Sequence, residues 1–430
     1  MNNIENNQTT ELINPLNFIN QKIKIPLKYT KDDIEKLYKY ISEKYSKINI
    51  KCIQKGEGYL KYPYLIPGGY YKQMWDWDGF FIGYYLATHK KEKYLKYWAL
   101  NLLEGVDNNG YVSGCITTKG PRVLFGKFSM KPFLNQGILF YSRFSNDYSW
   151  IEPYYDKLVK VLEYRDSTQL DKKYNLYFWE IGFQSGADNN VALNIFKDDT
   201  RSFLACDCSV MQLREFYAMS EICDKLNKSS DSIFYKEKAE KLKNSIRNIL
   251  YCKNDNMFYN IDRETGEFYK RISYSCFWPL IEKIIDEKEG KLMIEKYLLN
   301  SNYMKGDFGF RTLSINDPDY NNKNIINPFS NWQGPIWVIS SYIYSIGLYN
   351  YNFKNEIEWL VWKLGNILRI DLIKYNTMHE SYHADNGQGL APDQSYKDDD
   401  GNFIGFIGWN LLLENLLEGV IYDKWNLILL

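Results

Sequence analysis

The chain has 430 residues, 45% hydrophobic and 25% charged, which is apolar material enough for a large globular core. Its 53 basic and 53 acidic side chains cancel, which excludes recognition of nucleic acid, an anionic membrane or a polyacid through a bulk field. The seven cysteines form an odd set, and Cys206-x-Cys208 lacks the two-residue gap of a usual metal or redox pair, so reduced, mostly buried thiols are expected, with neither metal nor cofactor.

Met1 to Asn20 is rich in Asn and carries Glu5 and Glu11, with no basic start and no apolar run of signal-peptide length. Residues 1–25 therefore read as a polar tail, disordered or wrapped on the domain, and no stretch reaches transmembrane length, which points to a cytoplasmic protein. Helical periodicity follows over Asp32 to Tyr45, Phe81 to Leu103, Lys131 to Ser145, Tyr148 to Tyr164, Ala205 to Leu226 and Ile233 to Leu250. It resumes over Tyr274 to Ile285, Glu287 to Asn300, Pro335 to Tyr349, Phe353 to Ile373 and Phe406 to Val420, and convincing strands are few. Long loops rich in Gly, Asn, Asp and aromatics alternate with tight turns such as Asn146-Asp147. That alternation predicts helical hairpins whose long loops gather on one side, in an all-α, closed double ring of helices. No Pro/Ser-rich linker divides residues 26–430, so one domain is expected.

Pro67-Gly68-Gly69 opens a run to Phe81 that packs six aromatic rings and the carboxylates of Asp76 and Asp78 together. Rings stack on the C–H faces of a sugar, and carboxylates beside indoles accept bonds from paired hydroxyls; the same rings also suit a helix core. The loop Gly114 to Phe128 carries Lys119, Arg122 and Lys127, which form either a solvated face or a cationic subsite. In Trp179 to Asn190, Asp188 stands among small residues that let a substrate approach, or caps the turn that follows, and Glu180 is a second acid in the same loop. Gly306 to Arg311 reads as a solvated turn or a substrate contact, and Asn327 to Trp337 opens a helix with Trp332 and Trp337. In Met378 to Gly389, His379-Glu380 and His383 carry the spacing of a helical zinc motif, but the Ala384-to-Gly389 run breaks such a helix. Glu380 there suits a general base that orients a water. Lys397 to Gly401 reads as a solvated turn.

These segments resemble the clan of inverting α-glycosidases that includes the trehalases (glycoside hydrolase family 37) and the family 63 α-glucosidases and mannosylglycerate or glucosylglycerate hydrolases. Trehalases carry Pro-Gly-Gly, seven residues, then Trp-Asp, as do Pro67-Gly68-Gly69 and Trp77-Asp78. Ser185-Gly186-Ala187-Asp188-Asn189-Asn190 is similar to the clan's acid loop, with Ala187 replacing an aromatic and Trp179-Glu180 four residues early. Asn331-Trp332-Gln333-Gly334-Pro335-Ile336-Trp337 looks like a family 63 run with Gln333 in place of Arg, and Glu380-Ser381-Tyr382-His383-Ala384-Asp385-Asn386-Gly387 is similar to the loop of the base.

The resemblance runs from about residue 60 to 420 and implies an (α/α)6 barrel, with Asp188 as general acid and Glu380 as general base. It implies an exo-acting hydrolase of a small α-glucoside or α-mannoside, with Trp75, Trp77, Asp78, Gln136, Trp332, Gln333, Gly334, Trp337 and Tyr382 as sugar-binding residues. Asp76 receives no role. The rival readings are a trehalase and a catalytically impaired sugar-binding protein on the same fold. The expected partner is a saccharide, with no nucleic acid and no membrane; monomer and homo-oligomer both stay open.

Overall fold

A computed structural model describes residues 22–122, 129–193, 201–325 and 330–430. It contains α1 (Lys31–Ile48), α2 (Asp76–Thr88), α3 (Lys93–Glu104), α4 (Leu134–Ser145), α5 (Tyr155–Thr168) and α6 (Cys206–Lys225). These are followed by α7 (Ser229–Ser245), α8 (Glu287–Met293), α9 (Val338–Asn350), α10 (Lys354–Tyr375) and α11 (Leu412–Tyr422). The chain is helix-rich, as its periodicity predicts, and the described strands are only two or three residues long. All seven cysteines are free and buried. Among the described residues, no helix is long and apolar enough to cross a membrane.

Several helix boundaries differ from the periodic pattern, each for a local reason. The expected helix from Phe81 to Leu103 is two, because the chain reverses after Thr88: Lys90 takes a left-handed φ of 61°, and the Leu86 carbonyl accepts from both His89 and Lys91. The reversal lays α3 on α2 so closely that a Cβ on Gly79 would lie 2.3 Å from Trp98 Cδ1. Pro153 and Pro279 cannot donate the amide an α-helix needs, and tighter 3-10 turns occupy Ser149–Tyr154 and Tyr274–Glu282 instead. The last turns expected of α7 and α8 are π-helical, over Ile246–Leu250 and Ile294–Leu298. The N-terminal tail lies outside the described residues up to 21. Its last residues are docked, since Ile23 and Ile25 are buried and the Ile23 N–H bonds the Asn386 carbonyl at 3.0 Å.

Packing follows from which faces are apolar. Helices α2, α9 and α11 are buried nearly all round, whereas α1 and α7 bury single stripes. The first kind pack on one another: α2 on α4, α4 on α6, α6 on the 3-10 segment Tyr274–Glu282, that segment on α9, α9 on α11, and α11 back on α2. Helices α1, α3, α7 and α10 pack against members of that circuit. One hydrophobic cluster runs through all of it, from Ile23 to Ile428.

Short antiparallel ladders fix the approaches to the circuit. Met74 and Trp75 pair with Ile116 and Cys115 just before α2, and Ile336 and Trp337 pair with Tyr382 and Ser381 just before α9. At the first residue of α2, the Asp76 carboxylate accepts from the Trp77 N–H (2.7 Å), the Lys131 N–H (2.5 Å) and Lys131 Nζ (3.1 Å). Both side chains of this ion pair are almost fully buried, so Asp76 is an anchor that ties the start of α2 to the segment leading into α4.

A buried ion pair left with one partner holds an uncompensated charge. Lys131→Met is therefore expected to destabilise the protein by about 3–5 kcal/mol, and adding Asp76→Asn should recover a large part of the loss. Urea denaturation of the single and double variants checks this; equal destabilisation in both would contradict it.

Candidate active site

The site begins at the Pro67-Gly68-Gly69 turn. Gly69 has a φ of +70°, and a Cβ placed on it would lie 1.7 Å from the Gly405 carbonyl oxygen, so only glycine fits. The Pro67 carbonyl accepts from the backbone of Ile407 (3.2 Å) and Gly408 (2.6 Å), which presses the turn onto the segment leading to α11. From this seat the next residues, Tyr70 and Tyr71, aim their hydroxyls at one carboxylate: Tyr70 donates to Glu380 Oε2, and Tyr71 to Oε1 at 3.3 Å.

Glu380 immediately precedes the Ser381–Tyr382 strand, and its own N–H bonds the Ala391 carbonyl at 2.5 Å. Behind it, Asp371 of α10 receives the Tyr382 hydroxyl (2.7 Å), the His379 N–H (2.9 Å) and a bond with His379 Nδ1 (2.7 Å). His379 therefore braces the loop. Glu380 is 2% exposed, and burial pushes its carboxyl up to about 8; the phenol donors oppose that rise and the nearby Asp188 charge adds to it.

Asp188 follows the 3-10 turn Gly182–Ser185. Gly186, at φ +83°, has no room for a Cβ, which would lie 2.8 Å from Lys131 Cε and 2.9 Å from Trp77 Cε2; the loop thus rests on the Trp77 ring. The Asp188 carboxylate accepts from the Ser330 N–H (3.1 Å) and Oγ (2.8 Å). It is only half-buried, yet enclosed enough that burial pushes it up to about 6, against the Ser330 bonds and the attraction of Lys131. Glu180 is exposed, and its neighbour Trp179 is buried with its indole N–H on Asp207 (3.0 Å).

Asp78, in the first turn of α2, is 6% exposed. Burial pushes its carboxyl well above the usual range; Lys131 opposes that, and Glu380 and Asp76 reinforce it. Asp188, Glu380 and Asp78 all act on the Tyr71 hydroxyl, so the four groups share one electrostatic neighbourhood although they come from three distant segments. An aromatic cluster adjoins them, with the Trp332 indole N–H on Ser330 Oγ at 3.1 Å. Trp332 stacks on Trp337 at 4.4 Å and 10°, and Trp77 packs against Trp332 (6.1 Å) and Trp409 (5.6 Å).

The expected residues divide by exposure. Trp75 and Gln333 are half-buried, whereas Trp77, Trp332, Trp337 and Tyr382 are 3% exposed or less. Gln333 Nε2 bonds the Asn189 carbonyl (3.2 Å), and Gly334 directly follows it beside Asn321. Gln136 stands apart from this group. Its Nε2 bonds the Pro132 carbonyl (2.7 Å) and its Oε1 accepts from Arg214 (2.8 Å), so core packing consumes the amide expected at the sugar. Of the Gly114-to-Phe128 loop, Lys127 lies outside the described residues, as do Asn327, Pro328 and Phe329. Sequence reasoning missed Tyr70 and Tyr71 as partners of Glu380, Ser330 as partner of Asp188, Lys131, and Trp409. The tyrosines lay inside the motif already singled out; Lys131 and Trp409 carried no local signal.

The fold has known counterparts. A mannosylglycerate hydrolase of family GH63 from Thermus thermophilus, in complex with glucose, superposes with a TM-score of 0.65 at 12% identity over 90% of this chain and 100% of its own; its structure with Tris and D-glycerate is similarly related. Neutral trehalase Nth1 from Saccharomyces cerevisiae gives a TM-score of 0.62 at 14% identity, over 92% of this chain and 80% of that one. A protein of Borreliella burgdorferi with no assigned function is 25% identical over 119 residues, which span 28% of this chain and 25% of that relative's length. Residues 70–397, which contain the turn's tyrosines, Asp78, Asp188 and Glu380, match the model of the mannosylglycerate hydrolase MGH1-like glycoside hydrolase domain. The chain belongs to that family and is a glycosidase.

Proposed function

We propose that the protein is an inverting, exo-acting hydrolase of a small α-glucoside or α-mannoside, working in a single (α/α)6-barrel domain over residues 26–430. The observation that carries the reading is the shared, half-dry site of Asp188 and Glu380, in which each acid has its own donors and Glu380 feels the charge of Asp188. The circuit of six packed helical segments, with further helices against it, supports the barrel.

Inversion needs one protonated and one ionised carboxyl on opposite faces of the sugar, separated by about 6.5–9.5 Å. With Asp188 near 6 and Glu380 near 8, the pair holds one proton between those values. Substrate assigns that proton by its own chemistry. A glycosidic oxygen can only accept, which favours a protonated Asp188, and the attacking water donates, which favours an ionised Glu380. Water then gives its proton to Glu380 as its oxygen bonds the anomeric carbon, and the departing oxygen takes the proton of Asp188. Asp78 grips sugar hydroxyls, and the half-buried Trp75 offers a ring face. Trp77, Trp332 and Trp337 support the site together with Gln333 and Gly334, and Tyr382 supports Glu380 through Asp371.

Asp188→Asn and Glu380→Gln are each expected to lower turnover by ~100- to 10,000-fold with the circular dichroism spectrum unchanged. A panel of mannosylglycerate, glucosylglycerate, trehalose and short α-gluco-oligosaccharides supplies the assay. Preference for trehalose would select the trehalase reading, and binding without turnover would select a sugar-binding protein. Proton NMR of the first product should show the β-anomer; an initial α-anomer contradicts inversion. The pH profile of kcat/KM should be bell-shaped, because the pair is doubly protonated below about 6 and doubly ionised above about 8. A profile flat across that window would contradict the acid and base assignment.

A further inference from the structure

The two oxygens of Glu380 are not equivalent. Oε2 takes the close bond from Tyr70, and Oε1 takes a longer one, 3.3 Å, from Tyr71. The phenols themselves are held on several sides. Their rings lie against each other at 4.2 Å; Tyr70 also packs on Tyr396 (5.3 Å), and Tyr71 meets Trp75 (6.4 Å) and Phe406 (6.1 Å) edge-on. Their backbone leaves a turn seated so closely on the Gly405 carbonyl that no Cβ fits at Gly69, and the Pro67 carbonyl ties it to Ile407 and Gly408. Two rigid donors on one buried carboxylate do more than satisfy it: they set its rotation and determine which of its lone pairs stays open.

We propose that Tyr70 and Tyr71 are positioning residues for Glu380, with Tyr70 locking Oε2 and Tyr71 sharing Oε1, the oxygen that receives the proton of the attacking water. The proposal rests on Glu380 being the general base. Tyr71 fits the second role because its hydroxyl also faces Asp188 and Asp78, the region where water and sugar must meet. The other charged groups around Glu380 cannot take over this role. Asp188 and Asp78 repel its negative charge, Lys131 is paired with Asp76, and His379 is paired with Asp371. The phenols are the donors the structure gives to its ionised form.

A hydrogen bond to an ionised group shifts its titration by about one to two pH units. The test is infrared titration of the substrate-free protein, following the protonated-carboxyl band that Glu380→Gln removes. In Tyr70→Phe that band should persist to a pH about one to two units higher than in the unmodified protein, and in Tyr71→Phe by a smaller amount. A merely structural role would leave the midpoint unmoved, and an unmoved midpoint in Tyr70→Phe overturns the proposal. If Tyr70→Phe does not fold, Tyr71→Phe decides alone by the same criterion. Activity separates this result from the underlying reading. Turnover retained in Glu380→Gln removes the base assignment whatever the band does, whereas an inactive Glu380→Gln with an unmoved band in Tyr70→Phe removes only the positioning role.

Discussion

No side chain fits between Gly69 and the carbonyl of Gly405, and the rest of the site is arranged around that contact. It presses the turn before α2 against the segment before α11, whose helices are themselves in contact. Tyr70 and Tyr71 therefore leave the turn already aimed at Glu380, and Trp77 and Asp78 enter the same space from the first turn of α2. Chemistry that depends on groups from distant parts of the chain requires such a fixed crossing, because a carboxyl misplaced by about an ångström loses much of its effect.

Electrostatics makes the crossing suited to the proposed proton transfers. Asp78, Asp188 and Glu380 are all raised by burial, and the strongest nearby cation, Lys131, is drawn to Asp76 by a direct ion pair. Asp188 and Glu380 are compensated by neutral donors instead: Ser330 for Asp188, and the two tyrosines for Glu380. Neutral donors leave a carboxyl able to hold or release a proton near neutral pH, whereas a salt bridge would hold it ionised. The buried ion pair thus serves architecture, while the proposed acid and base are left with neutral hydrogen bonds.

Much of this was legible in the residues. The glycines of the opening motif, the acid in a loop of small residues and the Glu380 loop all stood out locally, and the helical periodicity located nearly every helix. What failed was whatever depends on packing. The break between α2 and α3 has no Pro or Gly to announce it: the chain reverses at the left-handed Lys90, and α3 then closes with Trp98 against Gly79. Gln136 looked available because a sequence does not reveal that Arg214 and the Pro132 carbonyl claim its amide. Asp76 had no readable role in the sequence because its partner Lys131 lies in the segment before α4, with no motif of its own. Trp332 and Trp337 stack on each other and are buried, a pairing that the spacing of two Trp residues in one loop does not reveal.

If Asp188 and Glu380 divide the work as proposed, the glycosidic bond sits between them. The most direct measurement is a crystal structure of the Glu380→Gln variant bound to the best α-glycoside from the substrate panel. The glycosidic oxygen is expected within hydrogen-bond reach of Asp188, with Asp78 on the hydroxyls of the terminal sugar and a water between the anomeric carbon and the residue 380 amide. A glycoside seated elsewhere, or one whose scissile oxygen lies beyond the reach of Asp188, would contradict that division of work.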